Sequence, residues 1–220
     1  MMLLNASYWA HLVGQAELFP LLAAGLVGVA FFRHLSSPQQ YLAVLVWFSL
    51  AIELTALVLQ SQQIPNLFLV PIDAASGVWI LSLLYERALQ WPGYSRWRPW
   101  VAGAFVFSAA FSGWLMTDSA HFQPTLMVSE SLMLLLLPVL YFRKLLNELH
   151  VGNLAHDAIF WLSAGLLPYA LVKLLIGLFS NYLLAHYSRE LNLWVWFVHA
   201  VLLFVLYSCY LRALWLRPQK

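Results

Sequence analysis

Apolar runs of roughly 20 residues or more, each long enough for a helix to cross a bilayer, recur seven times along this sequence. They cover residues 11–32, 41–60, 66–89, 99–117, 121–146, 157–184 and 191–214. Breakers and charges separate them: Ser36-Ser37-Pro38, the polar stretch 60–65, Trp91-Pro92-Gly93, Asp118, Gly152-Asn153 and the stretch 188–192. None of the runs alternates with a period of two, which argues against a membrane β-barrel. The fold class expected is therefore all-α, a polytopic membrane protein forming a single seven-transmembrane-helix bundle over residues 1–220. Composition agrees, since 63% of the residues are hydrophobic and 9% charged, against about 25% charged in an ordinary soluble domain.

The loop cations give the bundle a direction. Arg33, Arg87, Arg96, Arg98, Arg143, Lys144, Arg212, Arg217 and Lys220 fall on one side of the predicted spans and Arg189 alone on the other. The positive-inside rule then puts the N-terminus outside and the C-terminus in the cytoplasm. Tryptophans mark the same borders, with Trp9, Trp114, Trp194 and Trp196 at the outer interface and Trp91, Trp97, Trp100, Trp161 and Trp215 at the inner one. The opening ten residues lack the positive region and cleavage site of a secretory signal, so the first span is expected to be retained. Asn5-Ala6-Ser7 fits a glycosylation sequon.

Inside this apolar frame lie a few ionisable residues. Lys173 sits deep in the sixth run, where a cation costs roughly 2.5 to 3.5 kcal/mol and must face a partner or a wet cavity. A spacing of four puts Tyr169, Lys173, Gly177 and Asn181 on one helix face, with Ser180 beside them. Counting about 1.5 Å per residue from the outer border brings Glu17, Glu53, Asp73, Glu130, Lys173 and His199 to one level in six helices. Local sequence suits a cavity there. Ala74, Ala75, Ser76 and Gly77 keep the backbone thin beside Asp73, Pro71 frees a carbonyl, Ser129 and Ser131 flank Glu130, Ser49 and Gln60 share the face of Glu53, and Pro168 lies just inward of Lys173. Trp47 and Trp79, away from the interfaces, are expected in its floor or wall. Four carboxylates against one lysine and one histidine suit protons or a small cationic or zwitterionic ligand, with Lys173 expected to pair with Asp73 or Glu130.

Several other functions are weakened by what the sequence lacks. A net charge of +2 without a basic run argues against nucleic acid. The single Cys209 provides no disulfide or cysteine metal site. A membrane metal hydrolase would draw on Asp73, Glu130 and His199, but no HExxH or paired histidines give ligand spacing, so no metal and no cofactor is expected. A retinal-type Schiff base on Lys173 would sit in the sixth helix, where rhodopsins use the last one. A transporter would need two matched halves, and Pro38-Gln39 and Pro218-Gln219, expected in a loop and the tail, do not form a PQ-loop pair. The fourth run carries a small-residue ladder, Ala104, Ser108 and Ser112, suited to close packing or homodimer formation.

The order of segments from the second run onward resembles a group of small bacterial seven-helix membrane proteins. The resemblance rests on the acid of run two, the turn Pro65-Asn66, Asp73 with Leu84-Tyr85, Phe160-Trp161-Leu162-Ser163-Ala164-Gly165, Asn181-Tyr182-Leu183, and Trp196-Phe197-Val198-His199 leading to Leu214-Trp215. It implies a bacterial inner-membrane sensor working through a separate cytoplasmic or membrane signalling partner. Lys173 departs from that pattern. The topology is similar to that of G-protein-coupled receptors in a loose sense, with Tyr85-Glu86-Arg87 closing the third run. The cytoplasmic loops are too short for a catalytic domain, so a sensor is expected ahead of an enzyme.

Overall fold

The computed structural model describes residues 16–115, 124–148, 154–186 and 189–216, with side chains described for all of these except 113–115, 148, 180–186 and 189–192. Among them are seven α-helices, two short 3-10 turns and no strand: α1 (Leu18–Phe31), α2 (Ser37–Ser61), α3 (Leu69–Leu89), α4 (Pro92–Leu115), α5 (Pro124–Glu148), α6 (Ala158–His186) and α7 (Arg189–Trp215). Five of them, α2, α3, α5, α6 and α7, are long and apolar enough to cross a membrane, as in an integral membrane protein. The outer faces are correspondingly apolar: Phe19, Leu26, Trp100 and Phe107 are each about three-quarters exposed. A water-soluble bundle would turn its polar faces outward instead.

Helix starts follow local chemistry more closely than hydropathy alone. Glutamine and proline extend α2 four residues upstream of the apolar run: Pro38 stands in the first turn, and the Gln39 Oε1 accepts from the Ser36 backbone N–H at 3.0 Å and hydroxyl at 2.8 Å. Thus Pro38-Gln39 belongs to a helix and not, as expected, to a loop. Pro99 likewise does not open α4, which begins at Pro92 and carries Pro99 in its interior. Asp157 starts α6, its Oδ1 accepting from Ile159 N–H at 2.8 Å and its Oδ2 from the Tyr141 hydroxyl at 2.5 Å. At the far end of α3, Gln90 takes the left-handed conformation with φ 51°, and Lys144 reaches from α5 to donate to the Ala88 and Leu89 carbonyls.

The helices close into a ring in which α1 packs on α2 and α7, α2 on α3, α3 on α5, α5 on α6 and α6 on α7, while α4 stands outside and leans chiefly on α3. Lipid gives no hydrophobic drive for helices to associate, so contact depends on small residues and interhelical hydrogen bonds. Both are present. A Cβ at Gly165 would lie 2.8 Å from the Cys209 Cβ, fixing how closely α6 meets α7, and one at Gly28 would lie 3.3 Å from the Ala43 Cβ between α1 and α2. Gln39, almost fully buried, donates from Nε2 to the Ala213 and Leu216 carbonyls at 2.7 Å each, tying the start of α2 to the end of α7. Tyr85 and Ser163, both wholly buried, share a 2.7 Å hydrogen bond between α3 and α6.

The α4 ladder divides its faces. Ala102, Phe105 and Ala109 are buried, whereas Ala104 and Ser108 are exposed. The Ser108 hydroxyl donates to the Phe105 carbonyl of its own helix at 2.7 Å.

Candidate functional site

The α2–α3 connection marks one end of the bundle, and beneath it lies a cavity of about 300 Å³ reached by five helices. Each contributes one ionisable side chain: Glu53 from α2, Asp73 from α3, Glu130 from α5, Lys173 from α6 and His199 from α7. Their common height has a simple cause. Antiparallel neighbours place residues towards the ends of α2 and α6 beside residues towards the starts of α3, α5 and α7, and four to thirteen residues of helix correspond to roughly 6 to 20 Å of depth.

The ion pair is Lys173–Glu130. Lys173 Nζ donates to Glu130 Oε1 at 2.5 Å, with 13% and 7% of the two side chains exposed. Of the two partners expected for Lys173, the structure selects Glu130, and Asp73 acts on it only through space. Lys173 Nζ also lies 5.6 Å from the centre of the Tyr169 ring, within range of a cation–π attraction. The Tyr169 ring lies tilted against His199 at 5.4 Å, and Trp196 meets the same imidazole edge-on at 5.6 Å. An aromatic belt therefore runs from the lysine around the cavity to Tyr207.

Two acids remain outside the pair. The carboxyls of Asp73 and Glu53 line the cavity and find no hydrogen bond or ion pair among the described residues. Neighbouring hydroxyls do not serve them. Ser76 donates to the Ile72 and Asp73 carbonyls, Ser129 to those of Thr125 and Leu126, and Ser131 to that of Met127. Serine beside an acid in sequence signals polarity, yet on a helix the shortest route for its hydroxyl is back to its own turn.

Some residues expected at the site lie elsewhere. Glu17, at the start of α1, is close enough to Glu53 for their charges to interact, but among the described residues α1 contributes nothing to the cavity wall. The lining thus comes from five helices where six were expected. Gly177, one turn beyond Lys173, packs against Met127 and Val128 of α5 as a close-contact position. The side chains of Ser180 and Asn181 lie outside the described residues. Trp47 donates to the Gly25 carbonyl at 3.2 Å and joins α2 to α1, while Trp79 lies under Arg98 at 5.3 Å, so neither forms the cavity floor or wall.

Sequence reasoning passed over Asn66, Trp196 and Tyr207, which complete the lining. For Trp196 the signal was available, three residues before His199 and hence on its face. Asn66 sits in the loop and donates to the Ala56 carbonyl at 3.5 Å, a placement that no helical period predicts.

Below the cavity the interior is filled. Leu84, Tyr85, Leu162, Ser163 and Leu166 are all essentially inaccessible. Among the described residues no three of His, Cys, Asp or Glu stand close enough to share a metal ion. No family model matches the chain, and neither a curated protein nor a solved structure shows a significant match to it.

Proposed function

We propose that this chain is a seven-transmembrane-helix sensor of a bacterial inner membrane, with its N-terminus outside, and that the cavity is its ligand- or proton-responsive site. The observation that carries this reading is the set of five ionisable side chains, one from each of five helices, around a single space. A change of charge or occupancy there acts on the packing of all five helices at once, which is how a local event biases two arrangements of a bundle. The inner-side charges Arg33, Arg87, Arg96, Arg98, Arg143, Lys144 and Arg212 support the orientation. Output passes to a separate partner, since the connecting segments are short.

The dead end favours a sensor over a transporter. The packed layer of Leu84, Leu162 and Leu166, sealed by Tyr85 and Ser163, closes the route towards the opposite end of the bundle. Alternating access would require a polar path to continue through that layer.

Hydrogen exchange on the full chain in lipid nanodiscs tests the reading. Titration from neutral to acidic pH is expected to change protection in α3, α5 and α6 together, and a charge-free Lys173→Met, Glu130→Leu double variant is expected to blunt that change. The reading is overturned if exchange in these helices is the same at every pH and in both proteins. Solute flux across proteoliposomes would replace it with a transporter.

A further inference from the structure

We infer that the cavity takes a small organic cation of the alkylammonium class, with its charged head on the Asp73–Glu53 side and its apolar part against the aromatic belt. This deepens the reading of the cavity as a ligand site and rests on it. Among the described residues, three carboxyl side chains and one lysine line the space. Because Lys173 forms its ion pair with Glu130 at 2.5 Å and reaches Asp73 only through space, the acids of the cavity left without an ion-pair partner among the described residues are Asp73 and Glu53.

Each competing ligand class meets an obstacle. An anion would face the acids Asp73 and Glu53, with Lys173, the one lysine or arginine in the lining among the described residues, already engaged by Glu130. A carboxylate-bearing zwitterion meets the same obstacle at its negative end. A bare metal ion wants several hard donors at one centre, and no three of His, Cys, Asp or Glu converge among the described residues. The remaining walls include Trp196, Tyr169, Tyr207, Leu203 and Met127, which give aromatic faces and aliphatic surface to the body of an organic ligand. Aromatic faces attract an ammonium group, more strongly once it is removed from water. A cavity of about 300 Å³ is also far larger than a dehydrated inorganic cation needs.

The test uses the full chain in nanodiscs of neutral phosphatidylcholine, so that lipid charge does not recruit the probe. n-Butylammonium, n-butanol and butyrate, matched in chain length and at constant ionic strength, are compared by saturation-transfer NMR and by the thermal unfolding midpoint. n-Butylammonium is expected to bind at least tenfold more tightly than either control and to raise the midpoint. Asp73→Asn and Glu53→Gln, each checked for an unchanged midpoint without probe, are each expected to weaken it several-fold. The wild-type comparison does not depend on any variant folding. Equal binding of the alcohol and the ammonium, or preference for butyrate, overturns the cation assignment while leaving a ligand cavity in place. Undiminished ammonium binding to a folded double variant of both acids overturns the seat. Selective ammonium binding without any change in helix protection upholds the inference and removes the sensor reading alone.

Discussion

Lys173 and Glu130 meet across the α5–α6 interface at 2.5 Å, each nearly buried, and neither has a second ion-pair partner among the described residues. A pair of this kind is asymmetric in its energetics. Removing one member strands the other, at about 3 to 5 kcal/mol, whereas replacing both by apolar residues of similar volume is often neutral or stabilising. Lys173→Met and Glu130→Leu are therefore each expected to lower the thermal unfolding midpoint in nanodiscs, and the double variant to recover most of the loss. Additive losses in the double variant would show that the two charges act separately.

Gln39 is a buried polar residue that ties the start of α2 to the end of α7. Its amide nitrogen serves the Ala213 carbonyl in the last turn of α7 and the Leu216 carbonyl just past it, while its oxygen holds the start of α2. Gln39→Leu leaves these buried groups unsatisfied, at about 1 to 3 kcal/mol for each group stranded. Faster hydrogen exchange confined to the start of α2 and the end of α7 is the expected signature. Unchanged protection at both ends would show that the bonds contribute little.

These two contacts show what was legible in the sequence and what was not. That Lys173 needs an internal partner follows from the cost of a cation among apolar residues, and the spacing from Tyr169 to Lys173 placed both on one face. Which acid would answer could not be read, because Asp73 and Glu130 have equal claims until the rotation of α5 against α6 is known. Gln39 was hidden for a different reason: a glutamine beside a proline at a helix border reads as loop, and its partners Ala213 and Leu216 lie 174 and 177 residues away in sequence. The seven apolar runs gave the positions of seven helices, with errors of several residues where a cap or an interior proline set the end. Hydropathy could not tell that α4 would stand outside the ring or that α1 would leave the cavity wall, since both depend on packing between helices.

Besides the buried Ala102, Phe105 and Ala109, one charged contact ties α4 to α3. Arg98 Nε approaches Glu86 Oε2 at 2.6 Å, Ser95 donates to Glu86 Oε1, and Tyr94 donates to the Ser82 carbonyl at 3.2 Å. Because α4 leans chiefly on α3, Arg98→Ala is expected to loosen α4 while leaving the other helices in place, at about 1 to 3 kcal/mol. Arg98→Lys restores charge but not the planar guanidinium over Trp79, and is expected to recover only part of that loss. Spin-label distances between α3 and α4 measure the displacement. A change spread evenly over all the helices would contradict a local role.

Close approach of α6 to α7 depends on the missing side chain at Gly165. Gly165→Ala introduces a Cβ 2.8 Å from that of Cys209 and 3.4 Å from the Leu206 Cα, and is expected to cost about 1 to 3 kcal/mol through helix displacement. Cys209→Ala removes only the sulfur at 3.0 Å and leaves the closer Cβ in the way, so it is expected to give little relief. Cys209→Gly removes that atom and is expected to recover part of the loss. Equal midpoints for wild type and Gly165→Ala would mean that the interface yields without penalty.

Tyr85 and Ser163 form the seal beneath the cavity, and their bond offers a way to separate scaffold from site. The two hydroxyls satisfy one another at 2.7 Å in a layer with no access to water. Tyr85→Phe strands the serine hydroxyl, a loss of about 1 to 2 kcal/mol, whereas Tyr85→Phe with Ser163→Ala removes both polar groups and is expected to be nearly neutral. Neither change touches an ionisable residue of the cavity, so ammonium binding should persist in both proteins even where the midpoint falls. If the double variant instead admits solute across a proteoliposome membrane, the hydroxyl pair is a gate, and the closed layer is one position of a moving path.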